Sequence, residues 1–468
     1  MRRLGQLAER TPAGRERYVD LLRALAITMV VLGHWTATVI GTDAAGRPTG
    51  RSALPDLPWA YPLTWVAQVM PIFFLVGGFA NAASLVTRRE RGGNATDWLL
   101  DRAARLLRPT TALLLVLCGG AAVASLAGVP ATLVRTVVWF ATIPLWFLAA
   151  YLLVVPLTPV TYALHRRFGL LVPGALAALV AAGDVGRALG SEWYALGNYV
   201  FGWLAVHQLG FAWYDARSAT TLDGPRSTAA SPARTGPRTT RLPMSRRAGW
   251  TMLLAGLAAT VLLTGVGPYP LAMLNVPGER LDNAAPPSLA LLTLTTAQLG
   301  LIVLARRPVE RWLHRRRPWS VVVAVNAVVL TVFLWHLTAA ILLVGALDAV
   351  GLLPTPPAGS AAWLAWRLPW VLLLTVVLAV LVALFGPIEA RTGRRPDRAG
   401  RSGARGALAA AGFAAVVYAL VSNAQTPKEA AEPLGVPVVA LVAYLAGAGL
   451  LRLLRSGRAG PARPGHPD

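Results

Sequence analysis

Three titratable residues share one face of a long apolar segment near the start of the chain. Arg23 lies eleven residues before His34, and Asp20 lies three residues before Arg23. At about 100° per residue, eleven steps return a helix to within roughly 20° of its starting direction. Titratable groups are costly inside a membrane, so this alignment predicts a functional site.

The types of these residues suggest a reaction. A histidine can remove a proton from a hydroxyl group, and an arginine can bind phosphate through two parallel hydrogen bonds. Asp20 is close enough to pair with Arg23 across one helical turn. For His34 the alternative is a core histidine that only joins two helices. The aligned charges favour a site that joins an anionic donor at the Arg23 end to an acceptor near His34.

A second group of charges could complete this site. Residues 97–108 form an amphipathic pattern in which the basic side chains are Arg102, Arg105 and Arg108. Ordinary arginines of a membrane-surface helix would give the same pattern. The functional interpretation is a cradle for phosphates beside Arg23. Pro109 is expected to begin the next helix.

Other intramembrane histidines and tryptophans are weaker candidates. His336, with Trp335 beside it, fits a structural role as well as a catalytic one, and His207 has the same ambiguity. Trp146 fits an aromatic side chain at the membrane interface. His165 lies in a basic segment, where we expect it to be solvated.

The composition indicates what kind of chain positions these residues. Of 468 residues, 55% are hydrophobic and 14% charged, and the mean hydropathy is +0.54. Soluble proteins are about a quarter charged, so we predict an all-α polytopic integral membrane protein. The net charge of +23 lies in short connections between apolar runs, which argues against nucleic acid as a partner. The single cysteine, Cys118, excludes an intramolecular disulfide, and neither a metal nor a prosthetic group is expected.

Apolar runs long enough to cross the lipid bilayer predict about twelve helices. Arginine clusters recur in every second connection, and the positive-inside rule therefore places both termini in the cytoplasm. The runs lie near residues 19–41, 63–87, 109–128, 138–160, 170–188, 196–214, 249–266, 288–305, 321–346, 366–388, 407–424 and 435–453.

The connections divide the chain into segments. Residues 267–287 contain several prolines and predict a structured, turn-rich outer loop. The remaining segments are a cytoplasmic N-terminal segment (1–17), a membrane domain (18–391) with a flexible cytoplasmic linker (217–247), a cytoplasmic loop (392–406), additional transmembrane helices (407–455) and a disordered tail (456–468).

Five motifs in this order resemble those of the membrane-bound acyltransferase-3 family. Gly77 stands where the second motif usually has serine, and Phe333 where the fifth often has tyrosine. The second motif also fits close helix packing at small residues. The motifs are Arg23 with His34, Phe73 to Phe79, Arg102 with Arg105 (or Arg105 with Arg108), Leu145-Trp146-Phe147-Leu148 and Phe333-Leu334-Trp335-His336.

The resemblance implies transfer of an acetyl or other short acyl group from cytoplasmic acyl-CoA to a hydroxyl of a carbohydrate, cell-envelope glycan or natural product. The enzyme would lie in a bacterial cytoplasmic membrane. His34 would be catalytic, and Arg23 with the paired arginines would hold the phosphates of the donor. Residues 407–455 would add helices to a ten-helix core, and the chain leaves no room for the fused SGNH-type domain that many members carry.

Other interpretations remain open at this point. His34 could act as a general base or could receive the acyl group in a transient intermediate. A transporter or flippase of a sugar-containing substrate is a different class, which broken helices at mid-membrane and an inverted repeat would favour. A catalytically inactive membrane scaffold is a third. The oligomeric state is not predicted.

Overall fold

The structure is a computed structural model that describes residues 15–42, 46–190, 192–222, 240–276, 281–391 and 403–456. Among these residues, eleven helices are long and apolar enough to cross a membrane. Another helix, Asn198–Leu222, has 25 residues and is not one of these eleven. The prediction of an all-α polytopic membrane protein is therefore confirmed.

The elements follow one another along the chain with short connections. They are α1 (Arg17–Ala37), β1 (Thr38–Thr42), β2 (Pro48–Ser52), α2 (Thr64–Ala67), α3 (Met70–Glu90), α4 (Ala95–Leu126), α5 (Ala131–Thr142), α6 (Leu145–Val154), α7 (Thr158–Phe168), α8 (Leu171–Ala188), α9 (Asn198–Leu222), α10 (Arg246–Gly265), α11 (Leu289–Leu313), α12 (Arg316–Ala327), α13 (Val329–Ala349), α14 (Ala361–Ala390), α15 (Gly403–Gln425) and α16 (Val438–Ser456). Short 3₁₀ turns lie at Leu54–Asp56, Pro58–Leu63, Val155–Leu157, Glu192–Gly197 and Pro433–Gly435.

These elements form two compact units, each built from two stretches of the chain. The first unit draws on residues 1–86 and 157–390, and the second on residues 87–156 and 391–468. Residues outside the described ranges include most of the expected linker and the whole of the expected tail after Ser456. The first six residues of the expected linker, 217–222, are helical because α9 continues to Leu222.

Helix α1 lies at the centre of the first unit, where it contacts α11, α12, α13 and α14. Its buried residues recur at helical spacing, as for Val19, Leu22, Ala26 and Ile27. At its C-terminal end the chain enters an antiparallel hairpin in which Thr38 pairs with Ser52. Since α1 carries Asp20, Arg23 and His34, its neighbours determine what surrounds the predicted site.

Helices α3 and α9 approach each other closely at two glycines. A Cβ atom at Gly78 would meet the backbone of His207, and one at Gly210 would meet the backbone of Leu75. Phe74 stacks on Trp203 nearby, with ring centroids 4.3 Å apart. The interpretation of the segment from Phe73 to Phe79 as a site of close helix packing at small residues is confirmed.

The connection between α10 and α11 is ordered over the residues described, which confirms the expected turn-rich loop. Asn283 Nδ2 donates to the carbonyls of Pro270 and Ala272, at 2.8 and 2.9 Å. The Tyr269 hydroxyl donates to Asp184 on α8 at 2.9 Å. Burial and the Asp184 carboxylate raise the pKa of Tyr269, so its hydroxyl stays a donor at neutral pH.

The second unit combines α4, α5 and α6 with α15 and α16. The Tyr444 hydroxyl of α16 lies 3.0 Å from Thr111 Oγ1 of α4. The expectation that Pro109 begins a new helix is wrong, because α4 runs through it for 32 residues. A proline keeps a helical φ and removes one hydrogen bond, which membrane helices tolerate.

His165 also differs from expectation. It is fully buried, and its Nε2 lies 3.5 Å from Asp215 Oδ2. The Tyr162 hydroxyl donates to the other carboxylate oxygen of Asp215 at 3.2 Å. The basic segment suggested solvation, but α7 packs this side chain against α9 instead.

Candidate active site

His34 and His336 form a direct pair in the first unit. His34 lies near the C-terminal end of α1, and His336 lies in the second turn of α13. His34 Nδ1 is 2.9 Å from His336 Nε2, and the two rings stack with centroids 5.0 Å apart. Helix α13 thus brings together two histidines that the sequence predicted separately.

The hydrogen bonds of His336 determine where the protons of the pair lie. His336 Nδ1 is 2.6 Å from the Phe333 carbonyl oxygen, which can only accept, so Nδ1 carries the hydrogen. In a neutral ring Nε2 is then an acceptor, and His34 Nδ1 must donate to it. This leaves His34 Nε2 with a free lone pair. The pair therefore presents a base at His34, with its ring held in one orientation.

The two histidines differ in exposure. His336 is fully buried, whereas His34 is partly exposed. Trp35 Nε1 donates to the His336 carbonyl at 3.0 Å. Trp335 stacks on Phe385 of α14 with centroids 3.9 Å apart. The buried tryptophans fix the backbone of the pair, while the partly exposed His34 ring remains accessible to a substrate.

Asp20 and Arg23 form the predicted ion pair at the other end of α1. Arg23 Nη1 is 3.0 Å from Asp20 Oδ1, and Arg15 Nε is 2.5 Å from Asp20 Oδ2. Asn326 Nδ2 donates to the Asp20 carbonyl at 2.9 Å, which ties α1 to α12. With both carboxylate oxygens occupied, Asp20 is suited to positioning Arg23. The Arg23 side chain itself is 30% exposed and binds Asp20 through one nitrogen.

Arg23 and His34 do not touch. The eleven residue steps from Arg23 to His34 correspond to about 16 Å along the axis of α1. Such a separation suits an extended substrate whose anionic portion lies at Arg23 and whose reacting atom lies at His34.

Comparison with known proteins identifies the class of this site. Residues 16–386 match the family model described as an acyltransferase domain. The chain belongs to the acyltransferase-3 family. It is therefore a membrane acyltransferase. This favours an enzyme over the two alternatives, a transporter and an inactive scaffold. No curated protein and no solved structure matches the chain.

The match places the paired histidines, Asp20 and Arg23 inside the acyltransferase domain, together with the arginine motif of α4. Helices α15 and α16 lie beyond it. The break between α12 and α13 falls at Val328, and α13 alone has 21 residues, about 31 Å. The acyltransferase thus has a full-length helix on one side of this break, unlike the half-helices of transporters that meet at mid-membrane.

The arginine motif belongs to the second unit of the acyltransferase. Arg105 and Arg108 are exposed, and Arg108 Nη1 donates to the Arg391 carbonyl at 3.2 Å. The guanidinium of Arg102 lies over the Trp98 ring, 5.6 Å from its centroid. The role of the three arginines in binding a donor stays a prediction.

The acidic residues of the same helix pair with other arginines. Asp101 accepts from Arg88 at 2.9 Å and from Arg455 at 3.0 Å, and Asp97 accepts from Arg405 at 2.5 Å. Within the described ranges, neither Arg105 nor Arg108 has a carboxylate within ion-pair distance. Both charges therefore remain available to an anionic ligand. Trp146, half-buried in the first turn of α6, has no role that this geometry assigns.

Glu389 is a site residue that the sequence did not indicate. Its carboxylate accepts from the backbone N–H groups of Leu330 and Thr331, at 3.2 and 2.8 Å, and from Thr331 Oγ1 at 2.7 Å. It thus caps the N-terminus of α13 from the end of α14. Since α13 carries His336, this contact fixes the position of His336 along the axis of α13. The only sequence signal is an acid at the end of a span.

Proposed function

We propose that this acyltransferase moves an acetyl or other short acyl group from acyl-CoA to a hydroxyl of a carbohydrate, cell-envelope glycan or natural product. The observation that carries the proposal is the hydrogen-bond chain from the Phe333 carbonyl through His336 to His34. It leaves Nε2 of His34, a partly exposed residue near the end of α1, unprotonated. The family supplies the reaction type, and the lone pair supplies the base that such a reaction needs.

In the proposed step, His34 Nε2 removes the proton of the acceptor hydroxyl as its oxygen attacks the thioester carbonyl. The new C–O bond forms, the C–S bond breaks, and the proton passes from His34 to the departing thiolate. His336 accepts the hydrogen bond from His34 Nδ1 throughout and stabilises the imidazolium that forms transiently. His34 is the proposed catalytic residue, and His336 is a positioning residue.

The anionic part of acyl-CoA is proposed to bind at the other end of α1. Only one nitrogen of Arg23 is used by Asp20, and its other N–H groups can bind phosphate oxygens. For the second unit by itself, we propose that Arg105 and Arg108, which lack carboxylate partners in its described part, can bind the phosphate groups of an anionic ligand. Because acyl-CoA is made in the cytoplasm, we propose that the Arg23 end of α1 faces the cytoplasm of a bacterial cell.

The proposal is tested by supplying purified protein in detergent with acetyl-CoA, then propionyl-CoA and butyryl-CoA, and a set of sugars. We expect release of coenzyme A thiol that depends on a hydroxylated acceptor, together with an ester that hydroxylamine cleaves. Absence of thiol release with every donor and acceptor in preparations that remain folded would contradict the proposal.

The same assay separates the two chemical routes. A general base needs the acceptor before any thiol is released, whereas an acyl-histidine would release thiol without acceptor and leave labelled protein. The free lone pair of His34 Nε2 supports either route, and the dependence on acceptor decides between them.

A further inference from the structure

Arg367 of α14 lies at the end of α1 opposite Arg23. Its Nη1 donates to the Thr38 carbonyl at 2.9 Å, and its Nε donates to the Trp363 carbonyl at 3.1 Å. Thr38 in turn donates from Oγ1 to the His34 carbonyl at 2.5 Å. Arg367 is thus two hydrogen bonds away from the backbone of the proposed catalytic residue.

The surroundings of Arg367 are aromatic. Its guanidinium carbon lies 4.4 Å from the centroid of the Trp363 ring. Trp363 is buried in a small core with Val39, Ala53 and Leu57, which holds the hairpin against α14. Trp370 lies about one turn beyond Arg367 in α14, and its Nε1 donates to the Trp35 carbonyl at 3.1 Å. Arg367 is therefore held in place by α1, β1 and its own helix.

The partners of Arg367 in the described part of the chain are all neutral. Among the described residues no carboxylate lies within ion-pair distance of it, and both of its hydrogen-bond acceptors are neutral carbonyls. A guanidinium has five N–H groups, so several remain without a protein acceptor. The side chain is only partly exposed, so water replaces those acceptors incompletely. The nearby Arg51, by contrast, is paired with Asp56 at 2.5 Å.

A fixed, half-buried guanidinium with unused N–H groups is suited to binding an oxyanion. The donor phosphates are assigned to the Arg23 end of α1, so an anion at Arg367 belongs to the other substrate. We propose that Arg367 binds a negatively charged group of the acceptor, a carboxylate or a phosphate, and directs its hydroxyl toward His34. This inference rests on the proposed function and narrows the acceptor class to anionic sugars.

The test uses pairs of acceptors that differ in charge. These are methyl glucoside with methyl glucuronide, and glucose with glucose 6-phosphate. We expect the protein to use at least one anionic member with a kcat/KM at least tenfold above that of its neutral partner. A preference for the glucuronide identifies a carboxylate, and a preference for glucose 6-phosphate identifies a phosphate. Arg367→Gln should remove this preference, and Arg367→Lys should retain part of it because the charge stays.

Arg51→Gln is the matched control, since it removes a positive charge from the same end of the molecule. It should leave the preference unchanged, because Arg51 already has an acidic partner. Circular dichroism verifies that all variants are folded. The inference is overturned if wild-type protein uses neutral and anionic partners equally, or if Arg367→Gln keeps the preference.

A binding measurement separates this inference from the proposed function. The melting temperature of wild type and of Arg367→Gln is measured with each of the four sugars. We expect an anionic sugar to raise the wild-type melting temperature more than its neutral partner does, and this difference to disappear in Arg367→Gln. Equal shifts in both proteins, or no shift from either anion, would overturn the anion site. Absence of thiol release from acyl-CoA would overturn the proposed function alone.

Discussion

The position of one proton determines how His34 can act. A carbonyl oxygen beside His336 Nδ1 dictates the tautomer of both rings, and the lone pair appears at His34 Nε2 because nothing else in the pair can hold it. The same interaction orients the His34 ring. In the proposed reaction His336 acts on His34 and does not touch a substrate.

Replacing His336 tests this positioning role. His336→Ala removes the acceptor for His34 Nδ1, so either ring nitrogen can carry the proton and the ring can rotate. We expect kcat to fall by about 10²- to 10³-fold, with little change in the KM for acyl-CoA. His336→Gln should recover part of the activity, because its amide oxygen can accept the same hydrogen bond.

His314→Ala is the matched control for this substitution, because His314 is exposed at the end of α11. Its kcat should equal that of wild type. A His336→Ala protein with wild-type kcat, or one in which glutamine restores nothing, would contradict the positioning role.

Arg23 is expected to act on donor binding. Arg23→Gln should raise the KM for acyl-CoA about tenfold and change kcat little, because a phosphate contact is equally strong before and during the reaction. Arg315→Gln, at an exposed arginine, serves as the control for lost charge. Equal KM values in wild type and Arg23→Gln, measured over a range of salt concentrations, would exclude this contact.

At the scale of elements, α13 is fixed to α14 through Glu389. A carboxylate that accepts two backbone N–H groups satisfies donors that a helix leaves open at its N-terminus. The capped residues lie about one and a half turns before His336, so a shift of α13 along its axis would move His336 relative to His34.

Glu389→Ala should therefore affect both stability and catalysis. We expect the free energy of unfolding to fall by about 1 kcal/mol and kcat by about tenfold or more, because small displacements of reacting groups are costly. Ser245→Ala removes a comparable cap from α10, where Ser245 Oγ accepts from the Ala248 N–H at 3.1 Å. It should lower stability similarly and leave kcat unchanged. A Glu389→Ala protein that loses stability but keeps the wild-type kcat would show that the cap does not control the geometry of the histidine pair.

These elements show which features could be predicted from the sequence. The Asp20 and Arg23 pair follows from helical spacing, and it lies where the spacing placed it. The contact between His34 and His336 joins residues 302 positions apart, and Glu389 reaches Thr331 from 58 positions away. Such contacts depend on how helices pack, which local patterns do not encode.

Local sequence patterns gave wrong predictions at positions where tertiary packing determines the structure. Pro109 resembled a helix start, but α4 continues through it. His165 lay in a basic segment, but packing of α7 on α9 buries it against Asp215. Arg367 carries no local signal of a site, because an arginine near the start of a long span resembles an ordinary interfacial charge.

At the scale of the whole molecule, the helices predict the membrane topology. If the eleven apolar helices found among the described residues and α9 all cross the membrane, the number of crossings is even, and we predict that both termini lie on one side. We expect green fluorescent protein fused to either terminus to fluoresce and alkaline phosphatase fused there to be inactive. A phosphatase fused after Gly267, in the connection between α10 and α11, should be active. Active phosphatase at a terminus would reverse the orientation and the assignment of the Arg23 end to the cytoplasm.

The two helices beyond the matched domain complete the second unit. Arg405 of α15 and Arg455 of α16 neutralise Asp97 and Asp101 on α4, the helix that carries the arginine motif. Because these acids are already paired, Arg105 and Arg108 have no acidic partner among the described residues of this unit.

The most direct test of the account is the acyl-transfer rate of purified His34→Ala. The free lone pair of His34 Nε2 is the only feature that every proposed step requires. We expect a folded His34→Ala protein, with the wild-type melting temperature, to lose acceptor-dependent release of coenzyme A by at least about 10³-fold. Transfer at the wild-type rate by that same folded variant would contradict the assignment of His34 as the catalytic base.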